Sequence, residues 1–369
     1  MVKIKITLII VAIITIIIIF NSRLRSEGSI SDFTESNSDY KKEYMSRDGR
    51  IIDPGRGNIT TSEGQSYMML RSVISNDKET FDLVYNWSVN NLKRKDNLFS
   101  WLWGENDKGE YKILDENSAS DADVDIAFSL ILAHKVWKEK KYLDEALKII
   151  NSIWENETRK IDSNIVLMPG VKQAKEEKIE INPSYFFTYA FKLFQKYDKD
   201  HDWGKIVDSS YHYLYLACSK TKTGLPPNWF NIENNEIVLQ DSDRSDFSYD
   251  AVRVFPRIFI DYKMTGDPRA LSILEKSKFF IAKWETSKII YTNYKKNGLL
   301  RDTNQYVGSI AVLVPAMAVF DKNIANEIYR EDVLSKIEDA SFWKTLKDYY
   351  ATNLIWFGCF LFGMEGQNE

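Results

Sequence analysis

Apolar and polar positions along the 369 residues fall into a recurring pattern. A loop carrying Gly, Pro or aromatic residues leads into a helix with a polar head and an apolar body, and a second, more amphipathic helix follows. Glu63 heads the first such unit, whose return helix includes residues 81–92. Asp121 heads the second, with 142–154 behind it. Asn182-Pro183-Ser184-Tyr185 opens the third, with a return helix near 203–218, and Ser248-Tyr249-Asp250 opens the fourth, backed by 268–284. Thr303-Asn304-Gln305-Tyr306 opens the fifth and runs into an Ile/Ala/Val/Leu/Met segment, and residues 336–364 are expected to supply a final pair. Counted from Glu63 through Asp121, Tyr185, Asp250 and Gln305, the heads stand 58, 64, 65 and 55 residues apart. That regularity predicts an all-α array of about six helical hairpins, with strands sparse and short, as at 237–239. Long loops at one end suit a closed α/α toroid whose helix starts converge on one face. An open solenoid would leave the polar and aromatic heads without a reason.

Residues 1–25 stand apart. Lys3 and Lys5 precede an almost unbroken apolar run from Ile6 to Phe20, which fits a secretory h-region or, with its neighbours, a membrane helix of the ~20 residues usually needed. The following Asn21-Ser22-Arg23-Leu24-Arg25 lacks an Ala-x-Ala-like cleavage site. The expectation is an uncleaved signal-anchor holding the large domain outside the cytoplasm at the membrane, or secretion if the segment is removed. Arg23 and Arg25 run against that orientation, because positive charge usually stays inside. Residues 26–46, rich in Ser, Asp, Glu and Lys, read as a polar tether, and 47–369 as one large domain.

Composition narrows the chemistry. A net charge of -4 excludes the basic footprint of a nucleic-acid binder. Most of the 10 Trp, 20 Tyr and 20 Phe must be core, but sites that bind carbohydrate also use aromatic faces. Cys218 and Cys359 lie far apart in apolar surroundings and read as buried thiols; no disulfide framework or metal-ligand spacing is present. His134, His201 and His212 are scattered and read as packing residues.

Three helix heads carry candidate chemistry. Thr60-Thr61-Ser62-Glu63-Gly64-Gln65-Ser66-Tyr67 fits a capping box, with Thr60 as N-cap and Glu63 as its reciprocal partner. The pattern alone favours that cap, but Gly57 and Gly64 on either side allow close approach of backbone or a ligand to the acid. In residues 119–137, Asp121, Asp123 and Asp125 stand at the start of a strongly apolar helix. Helix N-termini favour acidic groups, but one cap suffices. Asp121 and Asp125 share a face while Asp123 points elsewhere. A calcium loop is excluded because Ile126 and Leu132 occupy the positions that need Gly and Glu. In Ser248-Tyr249-Asp250-Ala251-Val252-Arg253, the acid and the arginine are three apart. They fit a surface ion pair, or a buried one that favours an ionised carboxylate as a general base requires. Trp101, Trp103, Tyr185 and Tyr249, in loop-like contexts beside Gly or Pro, are candidate sugar platforms, with Trp229 ranked behind them.

Ala119-Ser120-Asp121-Ala122-Asp123 before an apolar helix ending at Trp137 resembles the signature of glycoside hydrolase family 8. Ser62-Glu63-Gly64-Gln65-Ser66-Tyr67 is similar to the stretch holding that family's general acid. Tyr249-Asp250-Ala251-x-Arg253 resembles the stretch holding the catalytic base in the branch that contains cellulases. The resemblance covers nearly all of residues 48–360. It implies an (α/α)6 barrel and an inverting, endo-acting hydrolysis of β-1,4-linked polysaccharide, with no metal or organic cofactor. Glu63 would be the general acid, Asp250 the general base, and Asp121 would position the sugar at the scissile bond. Trp101, Trp103, Tyr185, Tyr249, Arg253 and Asp123 would form the substrate-binding surroundings, Asp123 by holding a neighbouring loop or arginine. Inversion needs the acid and the base ~6.5–9.5 Å apart to admit a water. The membrane segment points to a cellulase that trims an exopolysaccharide during synthesis or export, as those accompanying bacterial cellulose synthases do. A chitosanase, a xylanase or a hydrolase of another exopolysaccharide is the alternative within the family, and a non-catalytic glycan-binding scaffold the alternative outside it.

Overall fold

A computed structural model describes residues 29–365, so the anchor expected at 1–25 lies outside the described residues. Among those described, no helix is long and apolar enough to cross a membrane. The chain divides into two compact units. The first comprises the described residues up to Glu157 with Gly170–Lys172 and Lys196–Lys199, and the second holds the remainder.

In the first unit the expected helix pairs are present: α2 (Ser62–Ile74) with α3 (Lys78–Asn91), and α4 (Ser120–Trp137) with α5 (Lys140–Glu157). Helix α4 is buried at every position from Ser120 to Ala133, as a helix apolar on all sides must be. Helix α5 instead buries one stripe, Tyr142, Ala146, Ile149, Ile150 and Ile153, at the spacing of a half-exposed partner. Lys138, left-handed at φ 60°, ends α4 by returning its N–H to the His134 carbonyl.

An additional helix, α1 (Ser29–Tyr44), corrects the reading of 26–46 as a polar tether. Tyr40 and Tyr44, four apart, are buried on one face. The Arg71 guanidinium lies 4.1 Å from the Tyr40 ring centroid and donates to Asn37 Oδ1 at 2.8 Å. Burial pulls the Arg71 pKa down to about 10. Lys41 closes the contact on Asp77 and Thr80.

A three-stranded antiparallel sheet, β1 (Thr60–Thr61), β2 (Ser100–Glu105) and β3 (Tyr111–Ser118), was not anticipated. It pairs Thr60 with Trp103 and Thr61 with Leu102, which places the head of α2 beside the tryptophan strand.

The second unit contains β4 (Thr158–Ile161) paired with β5 (Asn164–Leu167), and a sheet of β6 (Ile179–Ile181), β7 (Phe230–Glu233) and β8 (Glu236–Val238). Its helices are α6 (Thr188–Tyr197, up to Gln195), α7 (Trp203–Lys220), α8 (Val254–Thr265), α9 (Pro268–Leu274), α10 (Lys278–Ser287), α11 (Val307–Ala318), α12 (Lys322–Ile328) and α13 (Tyr349–Glu365). The single return helix expected over 268–284 is broken into α9 and α10 by a 3-10 turn at Glu275–Ser277. The pair expected over 336–364 is also corrected: short turns of helix at Ser335–Ile337 and Ala340–Thr345 precede one long helix, α13.

Helices α11 and α13 approach through small residues. A Cβ on Gly358 would stand 2.4 Å from the Ala311 carbonyl carbon and oxygen, and one on Gly308 would stand 3.0 Å from the Ala351 oxygen. Gly358→Val is therefore expected to force the helices apart and to lower stability by about 1–3 kcal/mol, read as a lower urea midpoint.

Candidate active site

Glu63 lies in the first turn of α2, and the local capping decides what its carboxylate is for. The N-cap is Thr61, whose side chain accepts from Gly64 N at 3.0 Å. The capping box read at Thr60 is thus displaced by one residue, and Gly64 takes the position that a reciprocal acid would need. Thr60 lies in β1 instead, donating to the Ile51 carbonyl at 2.6 Å and accepting from Arg50 Nε at 2.8 Å. Glu63 itself is half-buried and accepts from the Tyr67 hydroxyl at 3.3 Å. Gln65 anchors the turn from beneath. Its Nε2 donates to Gly49 O, Val84 O and Ser88 Oγ, and its Oε1 accepts from Ile51 N at 2.6 Å. Gly49 is required there, at φ 97° with a Cβ position 2.5 Å from the Leu83 backbone.

The three aspartates of α4 separate into distinct places. Asp121 is 3% exposed and accepts from Ala122 N through Oδ1 at 2.9 Å. Asp125 is also buried. Asp123 is completely buried and accepts from Phe99 N at 2.9 Å, bracing the loop that leads into β2.

The tryptophans of β2 are half-buried and already engaged. Arg50 lies 4.3 Å from the Trp103 ring centroid, Tyr111 stacks on that ring at 5.2 Å, and Trp87 meets it edge-on at 5.3 Å. Hydrogen bonds from Asn117 N and the Trp101 indole hold the Asp115 carboxyl below its usual range.

In the second unit, Asp250 precedes a 3-10 turn at Ala251–Arg253 that runs into α8. Both of its oxygens meet donors: Arg253 Nη2 reaches Oδ1 at 2.7 Å and the Trp229 indole N–H reaches Oδ2 at 2.9 Å. Arg253 is 4% exposed and lies over the rings of Tyr185 and Tyr350, 5.6 and 5.7 Å from their centroids. Asn228 fixes the turn, its Oδ1 accepting from Ser248 N and Ala251 N while its amide donates to Ser248 Oγ. Tyr249, 39% exposed, packs on Tyr306 at 4.7 Å, and its carbonyl accepts from the Tyr350 hydroxyl at 2.8 Å. Burial and the hydrogen bond with Tyr306 push the Tyr249 phenol up, so it stays neutral.

The sheet explains this assembly. Ile181 pairs with Phe230, so the turn carrying Tyr185 and the strand preceded by Trp229 start side by side, their rings 6.2 Å apart. Asn228 and Trp229 are the residues that sequence reasoning under-weighted. The available signal was Pro226-Pro227-Asn228-Trp229, a rigid turn presenting an amide and an indole.

The family profile of Glycosyl hydrolases family 8 matches residues 25–362. An endoglucanase of Salmonella typhi is 32% identical over 246 residues, 65% of this chain and 65% of its own length. The chain thus aligns with about two thirds of that relative, at 65%. The crystal structure of an endo-1,4-D-glucanase from Vibrio fischeri ES114 superimposes with a TM-score of 0.75 at 28% identity, covering 88% of this chain and 93% of that one. A beta-1,3-1,4-glucanase from Paenibacillus sp. X4 has the same fold, with a TM-score of 0.75 at 24% identity and 92% of each chain covered. The fold class is all-α, the (α/α)6 barrel. On the match across nearly its whole length, the chain belongs to family 8 of the glycosyl hydrolases.

Proposed function

We propose that the protein is an inverting, endo-acting hydrolase of β-1,4-glucan. Glu63 protonates the departing glycosidic oxygen, Asp250 takes a proton from the attacking water, and Asp121 holds the sugar at the scissile bond. The observation that carries this reading is the setting of Asp250. An arginine and an indole N–H hold its two oxygens in fixed directions, as a group that must orient a water requires. Surface ion pairing would need neither a buried guanidinium nor the indole. Tyr185, whose ring lies under Arg253, and the exposed ring of Tyr249 supply surfaces for the sugar. The names of the relatives, an endoglucanase and an endo-1,4-D-glucanase, support a glucan substrate.

The apolar run from Ile6 to Phe20 supports a membrane-anchored, extracytoplasmic enzyme, released if the segment is cleaved, that trims cellulose during its synthesis or export beside a polysaccharide synthase. The deciding experiment is product analysis over soluble cellulose, xylan, mixed-linkage glucan and chitosan. Internal cleavage of soluble cellulose faster than of the other three is expected. Preference for xylan or chitosan would move the protein to another specificity of the family, and no cleavage of any would favour a glycan-binding scaffold.

A further inference from the structure

The first unit contains two carboxyl groups that the proposed reaction does not use in contact with substrate. Asp123, in the first turns of α4, and Glu157, the last residue of α5, are both completely inaccessible and face each other. Asp123 Oδ1 accepts from Phe99 N at 2.9 Å, and Glu157 Oε1 accepts from the Ser118 hydroxyl at 2.5 Å. Among the described residues no N–H or hydroxyl donor reaches the remaining oxygens, Asp123 Oδ2 and Glu157 Oε2. Two buried carboxylates in contact would repel strongly in a low-dielectric interior. A carboxylate at the end of α5 would also face the negative pole of that helix. One proton between the two groups removes all three difficulties.

Other charges nearby do not replace it. Arg94 is the nearest cation, but its Nε and Nη2 are spent on Asp96 and its Nη1 on the Glu116 carbonyl. Asp96 faces Glu157, and Asp121 and Asp125 stand on the same helix as Asp123. Lys172, on the segment packed against Ser118, is exposed.

The pair sits at a junction. Phe99 leads into β2, and Ser118 ends β3 two residues before the first turn of α4. Ser118 Oγ accepts from Val171 N at 3.0 Å, and Gly170 packs so closely on Ser118 that a Cβ there would stand 2.3 Å from the Ser118 carbonyl oxygen. The N-cap of α4 is Ala119, which offers no side-chain cap. The first turn of α4, with Asp121 on it, is therefore braced by Asp123 and by what Asp123 leans on.

We propose that Asp123 and Glu157 share a single proton and that this pair is the positioning element that fixes the α4 head and, through it, Asp121. Its role in turnover rests on the hydrolase reading; the existence of the pair does not. The sign of its pH dependence follows from the folded state holding the proton longer than the unfolded chain. Burial raises both groups, Glu157 to about 8, whereas free carboxyls titrate near ~4. Above about pH 4.5 the unfolded chain binds fewer protons than the folded one, so this pair makes stability fall as pH rises until the folded pair has lost its proton.

Thermal melts of the parent, Glu157→Gln and Glu157→Ala across pH 5 to 8.5 test the pair, and kcat and KM on soluble cellulose test the positioning. The amide of Glu157→Gln donates to Asp123 and still accepts from Ser118, but has no proton to lose. Its melting temperature should decline less with pH than the parent's, and the alkaline limb of its kcat profile should move up by about one pH unit. Glu157→Ala should lose about tenfold in kcat with KM unchanged, and Glu157→Gln should restore most of it. Equal melting slopes in the parent and Glu157→Gln would overturn proton sharing. Altered slopes with full kcat in Glu157→Ala would overturn the positioning role. A parent inactive on every glucan would refute the hydrolase reading while the melts still decide the pair.

Discussion

Glu63→Gln is expected to lower kcat on soluble cellulose by about three orders of magnitude while KM stays within about twofold. The amide keeps the size of the side chain and can still accept from the Tyr67 hydroxyl, which lies 3.3 Å from Glu63 Oε2. What it lacks is a proton for the departing oxygen, and a sugar alkoxide is a poor leaving group without one. The capping geometry makes this variant diagnostic. If Glu63 completed a capping box, removing its charge would weaken the head of α2 and any loss of activity would be confounded with unfolding. Thr61 caps the helix through Gly64 N instead, so the melting temperature of Glu63→Gln should stay close to that of the parent. A substrate with an activated leaving group, such as an aryl cellobioside bearing a nitrophenolate, needs little protonation. The variant should recover most of its rate on it. Undiminished hydrolysis of soluble cellulose by Glu63→Gln would remove the proton-donor assignment.

Asp250→Asn is expected to cost as much as Glu63→Gln, by a different route. The parent carboxylate accepts from Arg253 Nη2 at 2.7 Å and from the Trp229 indole at 2.9 Å. An asparagine offers one oxygen and one NH2, so whichever way it turns, a donor meets a donor. The variant thus loses the base and also the fixed orientation of the side chain. A loss of about three orders of magnitude in kcat is expected, and here activated leaving groups should give no relief, because the missing step is water activation. The contrast between the two variants on an activated substrate separates acid from base. Equal recovery by both would contradict the division of roles.

How much of this was legible depended on how local each feature is. The heads at Glu63, Asp121 and Asp250 were visible because a polar residue at the start of an apolar helical run is a short-range pattern, and so was the burial of α4. Helix α1 was not, since Ile30, Phe33, Tyr40 and Tyr44 are its only apolar side chains in a segment of Ser, Asp, Glu and Lys, and the burial of the two tyrosines depends on Arg71, 31 and 27 residues onward. Strand β3 reads as a loop because most of its side chains are exposed, and its pairing is specified by the hairpin with β2. The displacement of the cap from Thr60 to Thr61 is a one-residue matter, decided by the hydrogen bonds that tie the Thr60 hydroxyl to Ile51 and Arg50 and not by the motif. Within the site, the missed contacts are the long-range ones. Trp229 reaches Asp250 across 21 residues, and Ser118 reaches Glu157 across 39; in each case the loop-bridging pair is set by sheet pairing or helix packing that no local pattern encodes.

The most direct test of an inverting endo-hydrolysis through Glu63 and Asp250 is proton NMR of cellohexaose during the first minutes of digestion. Water delivered by Asp250 from the face opposite the bond being broken predicts new reducing ends that appear as α-anomers, with β-anomers growing in only at the rate of mutarotation. New reducing ends that appear first as β-anomers would contradict it.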